Sequence, residues 1–506
     1  MDVTSLNSTL RNRALLIFSV ALIARIVTWI IIPVDWNWDS YHHWQISYLS
    51  LKIGFSQHRL WDLNGCEYLW GIIPHLVQAV ILGALNTTSI IPYRALNVIL
   101  GSFNAVLVFK VGSRFYSRDT GVFSGLIYAV FPVAMVFDTL AMQDTLALTF
   151  LLVSLLLIKD KPFWSGLSLS LAGQSRTELM LVGFIIIFGY ILRERIRTES
   201  LPFLLGALLG LGVFSFFVFT QTGTPFYSFY WSLRNIFGGW IAGNESKPFI
   251  TLMLSWIMQK LTVWPGKPTG VIILLIGSTT VVFTPYMALK KLARYQPQLY
   301  FLSTASVLTP IFITYLGSNT FNLLIMLRMI NPITALGAPL LINLNEKEGQ
   351  KHRKQNLAQI LKMVLLVSVI ASALYFLPSY TTYQNCQTDV FYSASLVTQY
   401  YENGTIVCDH PTMNYWLLDH AVVGPKSIIG NHYAPHYYGI NDPLDYVEWL
   451  RDNNVTIWIY YNEQSEPVYN VLSTSYPELL TQLDRGPNAK IFKVNQTMLK
   501  NIISGK

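Results

Sequence analysis

The chain has 506 residues, of which 52% are apolar and only 12% charged, at a mean hydropathy of +0.40. Soluble domains carry about 25% charged residues, so this composition excludes an ordinary soluble protein and points to a polytopic membrane protein. The net charge of +8 does not imply nucleic acid, because the basic residues fall in short clusters between apolar runs, where topology signals are written.

The first apolar run, 14–33, is too long for a signal-peptide core and lacks a small-residue cleavage pattern. It reads as a retained helix, and Arg11 and Arg13 before it set the N-terminus in the cytoplasm. The run 69–85 is short and holds Pro74, His75 and Gln78, as a helix lying at the interface does. With that run kept out of the bilayer, 92–113, 119–137, 143–158, 163–177, 179–192, 201–220, 268–289, 298–316, 321–343 and 357–377 cross, giving about 11 spans with the first. Runs 163–177 and 179–192 are short for full spans. This parity leaves Arg114/Arg118, Lys159/Lys161, Arg193/Arg195/Arg197, Lys290/Lys291/Arg294 and Lys347/Lys351/Arg353/Lys354 in the cytoplasm. Segments 34–91, 138–144, 221–267, 317–320 and everything from 378 then lie outside.

Beyond 377 apolar density falls and short alternating stretches appear: GTIVCDH (404–410), KSIIGNH (426–432), VTIWIYY (455–461) and AKIFKV (489–494). DPLDYVEWLRDNN (442–454) reads as a helix with Asp442 as N-cap. The chain thus divides into a membrane domain, 1–377, and an extracytoplasmic α/β domain, 378–506. Sequons at Asn86, Asn244, Asn403, Asn454 and Asn495 fall in or beside segments assigned outside; a sixth is at Asn7. Three cysteines are too few for a disulfide framework. Cys386 and Cys408 can pair there or stay as buried thiols, and Cys66 is left over.

Four stretches can carry chemistry. PVDWNWDSYHHWQIS (33–47) sets Asp35, Asp39, His42 and His43 among Trp36, Trp38 and Trp44 just outside the first span. Trp suits a membrane boundary, but an acid among aromatics there is costly unless it is used or paired. Asp39, His42 and His43 share a face if the segment is helical. FDTLAMQDTLALTF (137–150) opens a span with Asp144, which a helix dipole alone would also favour; Asp138 is a weaker candidate. QSRTELML (174–181) sets Arg176 and Glu178 between two apolar runs, where charges pair or line a polar cavity. GSNTFNLLIMLRMINPITALGAPLL (317–341) puts Arg328 about two turns into a span, and a guanidinium there matches the oxygens of a phosphate. The loop 221–267 adds Tyr227, Tyr230, Trp231, Arg234, Trp240, Glu245 and Lys247, which suit a sugar face or an ordinary interfacial helix equally.

In this order the features resemble the GT-C superfamily of glycosyltransferases. An acid follows the first span; SRTELML resembles the T-R-P-E stretch with Thr177 in place of Pro; LRMINPITAL resembles R-Y-x-x-P-x-x-P-x-L with Met329 in place of Tyr; and Asp144 matches the second acidic position. The resemblance is nearest to protein mannosyltransferases and aminoarabinose transferases, and the absence of W-W-D-Y-G speaks against an oligosaccharyltransferase catalytic subunit. It implies a polyprenyl (dolichyl) phosphate-linked sugar donor, and a glycan, protein or lipid acceptor at the outer face of the cell membrane or endoplasmic reticulum. It further implies Asp39 as base and Asp144 as acceptor-orienting acid. Arg328 would lie on the leaving phosphate, assisted by Arg176, Arg234 and Lys247, and His42, His43, Trp38, Glu178 and Tyr230 would line the substrate. A divalent cation on Asp39, Asp144 and His43 stays open, since their spacing is no metal signature. The rival classes are a transporter or flippase, for which no internal repeat is found, and a non-catalytic scaffold.

Overall fold

A computed structural model describes residues 3–176, 179, 201–228, 230, 335, 387–434, 443–461 and 466–504. Helix α1 (Val3–Ile31) ends just before Pro33, because the residue ahead of a proline is pushed out of helical geometry. Then follow α2 (Trp38–Lys52), α3 (Ile73–Ala84), α4 (Ile91–Phe115), α5 (Arg118–Ala129), α6 (Pro132–Phe137), α7 (Asp144–Leu157), α8 (Pro162–Ser175) and α9 (Leu201–Thr222). Among the described residues, three helices are long and apolar enough to cross a membrane: Leu10–Ile31 within α1, α4 and α9. The run 119–137 is not one continuous helix. It breaks between α5 and α6 at Pro132, which offers no N–H to the preceding turn. Runs 179–192, 268–289, 298–316, 321–343 and 357–377 lie outside the described residues apart from Leu179 and Ala335, both buried in the apolar cluster shared by α1 and α4–α8.

Small residues bring the helices together, as in membrane bundles. Along α8 and α9, a Cβ on Gly166 would stand 2.0 Å from the Phe203 carbonyl and one on Gly206 2.0 Å from that of Phe163. The bundle has two distinct ends. At one, Arg13 faces Asp119 at 3.7 Å and Arg114 pairs with Asp160 at 2.8 Å. At the other, buried Arg94 donates to the carbonyls of Ile32, Pro33 and Thr139, fastening the end of α1 to the turn before α7. The basic clusters at 114–118 and 159–161 thus sit together, opposite the segment 33–47.

The C-terminal region holds a five-stranded sheet of order β2-β1-β3-β5-β4, with β1 (Thr405–Val407), β2 (Ile428–Ile429), β3 (Val455–Tyr461), β4 (Leu480–Arg485) and β5 (Ala489–Val494). β2, β1 and β3 are parallel; β3, β5 and β4 are antiparallel. Helices α10 (Pro411–Asp419), α11 (Pro443–Asp452), α12 (Glu466–Ser475) and α13 (Gln496–Ser504) accompany it. Successive strand residues point to opposite faces. Ile457, Ile459 and Ile491 join a cluster with Tyr41, Trp44 and Met413, so α2 and α10 cover that face. Trp458 and Phe492 join Tyr446, Leu450, Leu472 and Leu499 of α11–α13 on the other. The sheet is therefore seated on the first loop, and Cys408 is a buried free thiol within its core.

Candidate active site at the loop-bearing end

Helix α2 starts where its sequence allows. Asn37 is the N-cap, its side chain accepting from the Asp39 N–H at 3.0 Å. Buried Asp35 fixes this cap from behind, accepting from the N–H of Asn37 at 3.1 Å and of Ala141 at 2.7 Å. Burial raises its pKa, with Arg94 and the two amides opposing. Asp35 is thus structural, whereas Asp39, in the first turn, is only half-buried. Trp38 beside it is 40% exposed, and Tyr230 is also exposed.

The two histidines of α2 are buried. His42 Nε2 meets Asp62 Oδ2 at 2.9 Å, and His43 Nδ1 meets His75 Nε2 at 3.0 Å. Burial works against charge on His42, but the Asp62 carboxylate outweighs it and the pKa is raised. Burial, with charge on His42 adding to it, holds His75 down at about 3. Asp62 is braced by Gln45 at 2.6 Å and the Cys66 N–H at 3.0 Å. Gln45 in turn accepts from Asn414 of α10 at 2.8 Å, and Asn64 donates to the Asp409 carbonyl at 3.0 Å. Sequence reasoning missed Asp62 and the C-terminal contribution; neither has a local signature.

Asp144 and Arg176, far apart in sequence, form a nearly buried ion pair at 3.2 Å. Asp144 opens α7, and Arg176 leaves α8 in extended geometry. Asp138 instead pairs with buried Arg25 of α1 at 2.7 Å and accepts from Thr145, so it is a structural acid. The turn Trp70–Gly71 joins α2 to this pair. The Trp70 ring packs edge-on to His42 at 5.0 Å and His43 at 4.8 Å. A Cβ on Gly71 would stand 1.9 Å from the Gln174 carbonyl, so only glycine lets the turn approach Arg176 so closely. Ser228, just past α9, donates to the carbonyls of Tyr68 at 2.6 Å and Trp70 at 3.1 Å.

Asp39, Asp144 and His43 do not form a cation-sized cluster; among the described residues that grouping is His42, Asp62 and Cys66. Glu178, Arg234, Lys247 and Arg328 lie outside the described residues.

A family model described as dolichyl-phosphate-mannose-protein mannosyltransferase matches residues 75–219. The structure of ArnT from Cupriavidus metallidurans bound to undecaprenyl phosphate is similar at a TM-score of 0.56 and 12% identity, over 96% of this chain and 98% of that one. The oligosaccharyltransferase of Archaeoglobus fulgidus in its apo form is similar at a TM-score of 0.54 and 10% identity, over 92% of this chain and 71% of that one. No curated protein sequence matches. The partial family match and the shared fold both agree with the resemblance to GT-C glycosyltransferases read from the sequence.

Proposed function

We propose that this enzyme transfers a sugar from a polyprenyl-phosphate donor to an acceptor hydroxyl at the extracytoplasmic face, with the loop-bearing end of the bundle facing outward and the N-terminus in the cytoplasm. The observation that carries the reading is the Asp144–Arg176 pair, tied through Trp70–Gly71 to the helix that presents Asp39. The undecaprenyl phosphate held by ArnT supports a lipid-phosphate donor here.

In the step proposed, the acceptor oxygen attacks the anomeric carbon while its proton passes to the Asp39 carboxylate. The bond from carbon to phosphate oxygen breaks, its electron pair stays on the phosphate, and one displacement inverts the centre. A base beside a poor nucleophile contributes typically about 10²–10⁴-fold. The leaving phosphate needs fixed positive charge, assigned to Arg328 with Arg176, Arg234 and Lys247. Asp144 holds Arg176 and orients the acceptor, and Trp38, Tyr230 and Glu178 line the sugar path. The family model's description makes dolichyl-phosphate mannose the first donor to try.

The test is purified enzyme incubated with a panel of polyprenyl-phosphate sugars, following release of free lipid phosphate. Release is expected from wild type and lost in Asp39→Asn, which keeps donor binding. No release across the panel, or full turnover by Asp39→Asn, refutes the reading.

A further inference from the structure

Cys66, Asp62 and His42 have no part in the displacement above, yet they converge beneath the C-terminal sheet. His42 comes from the first turns of α2, and Asp62 and Cys66 from the loop that follows the short 3-10 turn Gly54–Gln57. His42 Nε2, an Asp62 carboxylate oxygen and Cys66 Sγ all lie within 4.8 Å of one another. One imidazole, one carboxylate and one thiol within that radius form a donor set, not an acidic patch. We infer that these three residues bind one divalent cation of the zinc class, fastening the loop 58–72 to α2.

Three observations support the assignment. The donors suit zinc chemically: imidazole, thiolate and carboxylate oxygen bind Zn²⁺ at about 2.0–2.3 Å, whereas Mg²⁺ and Ca²⁺ want oxygen ligands alone. The geometry closes with little movement. His42 Nε2 and Asp62 Oδ2 already stand 2.9 Å apart, and Cys66 Sγ donates to the Asn64 carbonyl at 3.4 Å. The outer support that metal ligands usually have is also built. Gln45 donates to Asp62 Oδ1 at 2.6 Å, which leaves Oδ2 toward His42, and Asn414 orients Gln45 from the other side. A simple His42–Asp62 hydrogen bond would need the first two residues but no thiol held beside them. The three protein donors leave the fourth tetrahedral position for a water or a further donor, and His432 lies close by, its Nε2 2.0 Å from where a Cβ on Gly65 would stand.

Binding exchanges protons for metal. The Cys66 thiol releases its proton to solvent, and His42 frees Nε2 by carrying its remaining proton on Nδ1. Affinity therefore rises with pH.

The experiment uses the full chain in detergent, stripped with a chelator under reducing conditions and titrated with Co²⁺ as a spectroscopic substitute for zinc. One equivalent of Co²⁺ is expected to give a near-ultraviolet thiolate-to-cobalt charge-transfer band. The band should vanish in Cys66→Ser and persist in Cys408→Ser, which assigns the sulfur. Independently of any variant, Zn²⁺ should raise the melting temperature of the stripped wild type by several °C, through binding to the folded state alone, and Mg²⁺ should leave it unchanged. No charge-transfer band in the wild type, a band that survives in Cys66→Ser, or stabilisation by Mg²⁺ equal to that by Zn²⁺ overturns the assignment. These readouts do not involve glycosyl transfer, so they stand or fall apart from the reaction proposed above.

Discussion

Arg176 and Asp144 would each be costly alone at a nearly dry position, and each is tolerable because the other is 3.2 Å away. Removing one partner leaves a buried charge uncompensated, at about 3–5 kcal/mol. Arg176→Gln and Asp144→Asn should each lower the denaturation midpoint sharply. The double variant should recover much of that loss, because no charge is then stranded. Lipid-phosphate release should stay low in all three, since the cation is missing or misplaced in each. A double variant that regains turnover together with stability would make the pair purely structural. The contrast with Arg25 and Asp138 is instructive. That pair is fully buried, and Arg25 also donates through its other terminal nitrogen to the carbonyls of Ala21 and Ala129, so it holds helices together.

The elements were legible where local physics decides them. The face offered for Asp39, His42 and His43 in a helical segment lies on α2, the first apolar run is α1, and the β-branched stretch VTIWIYY is β3 within its expected bounds. Periodicity failed where an element owes its form to a neighbour. β4, LTQLDR, is a half-exposed edge strand whose register comes from β5, and Pro132 split a run that apolar content alone joined. Gly71 belongs to this scale too, since nothing in its local sequence announces that Gln174 passes above it. Gly71→Ala places a methyl 1.9 Å from the Gln174 carbonyl, and backbone there cannot yield without moving Arg176. Donor turnover should fall by tenfold or more. Gly212→Ala on α9 meets nothing within 4 Å and should leave turnover unchanged. Equal activity in the two variants would show that the turn's closeness does not matter to the reaction.

Across the whole molecule, Asp39, Asp144 and Arg176 could be nominated from sequence because charge is rare in an apolar chain and stands out. The buried network of Asp62, Gln45 and Asn414 could not, since it joins α2 to a helix 369 residues later. That seam also sets how the protein should respond to acid. Burial, reinforced by charge on His42, holds both His75 and His410 at about 3, so each stays neutral in the fold and takes up a proton once unfolded. The unfolded state then binds more protons between pH about 6.5 and 3, and stability falls as pH falls through that window. His42 acts the other way. Its raised value makes it a stabiliser that is fully present below about pH 6.5 and lost as pH rises through its folded value. His432, depressed by burial, acts with His75 and His410, whereas Glu67, pushed up to about 7 by burial, acts with His42; the three depressed histidines give the net loss toward acid. Measured with chelator present, the melting temperature should drop by several °C from pH 7 to 4.5, well above the range where Asp62, held low by His42, Gln45 and the Cys66 amide against its burial, begins to protonate. His410→Phe keeps a ring against Tyr461, 3.9 Å away, but removes the titrating group, so its melting temperature should fall less over the same interval. An acid limb as steep in His410→Phe as in wild type would mean that the seam between the first loop and the C-terminal sheet does not govern acid stability.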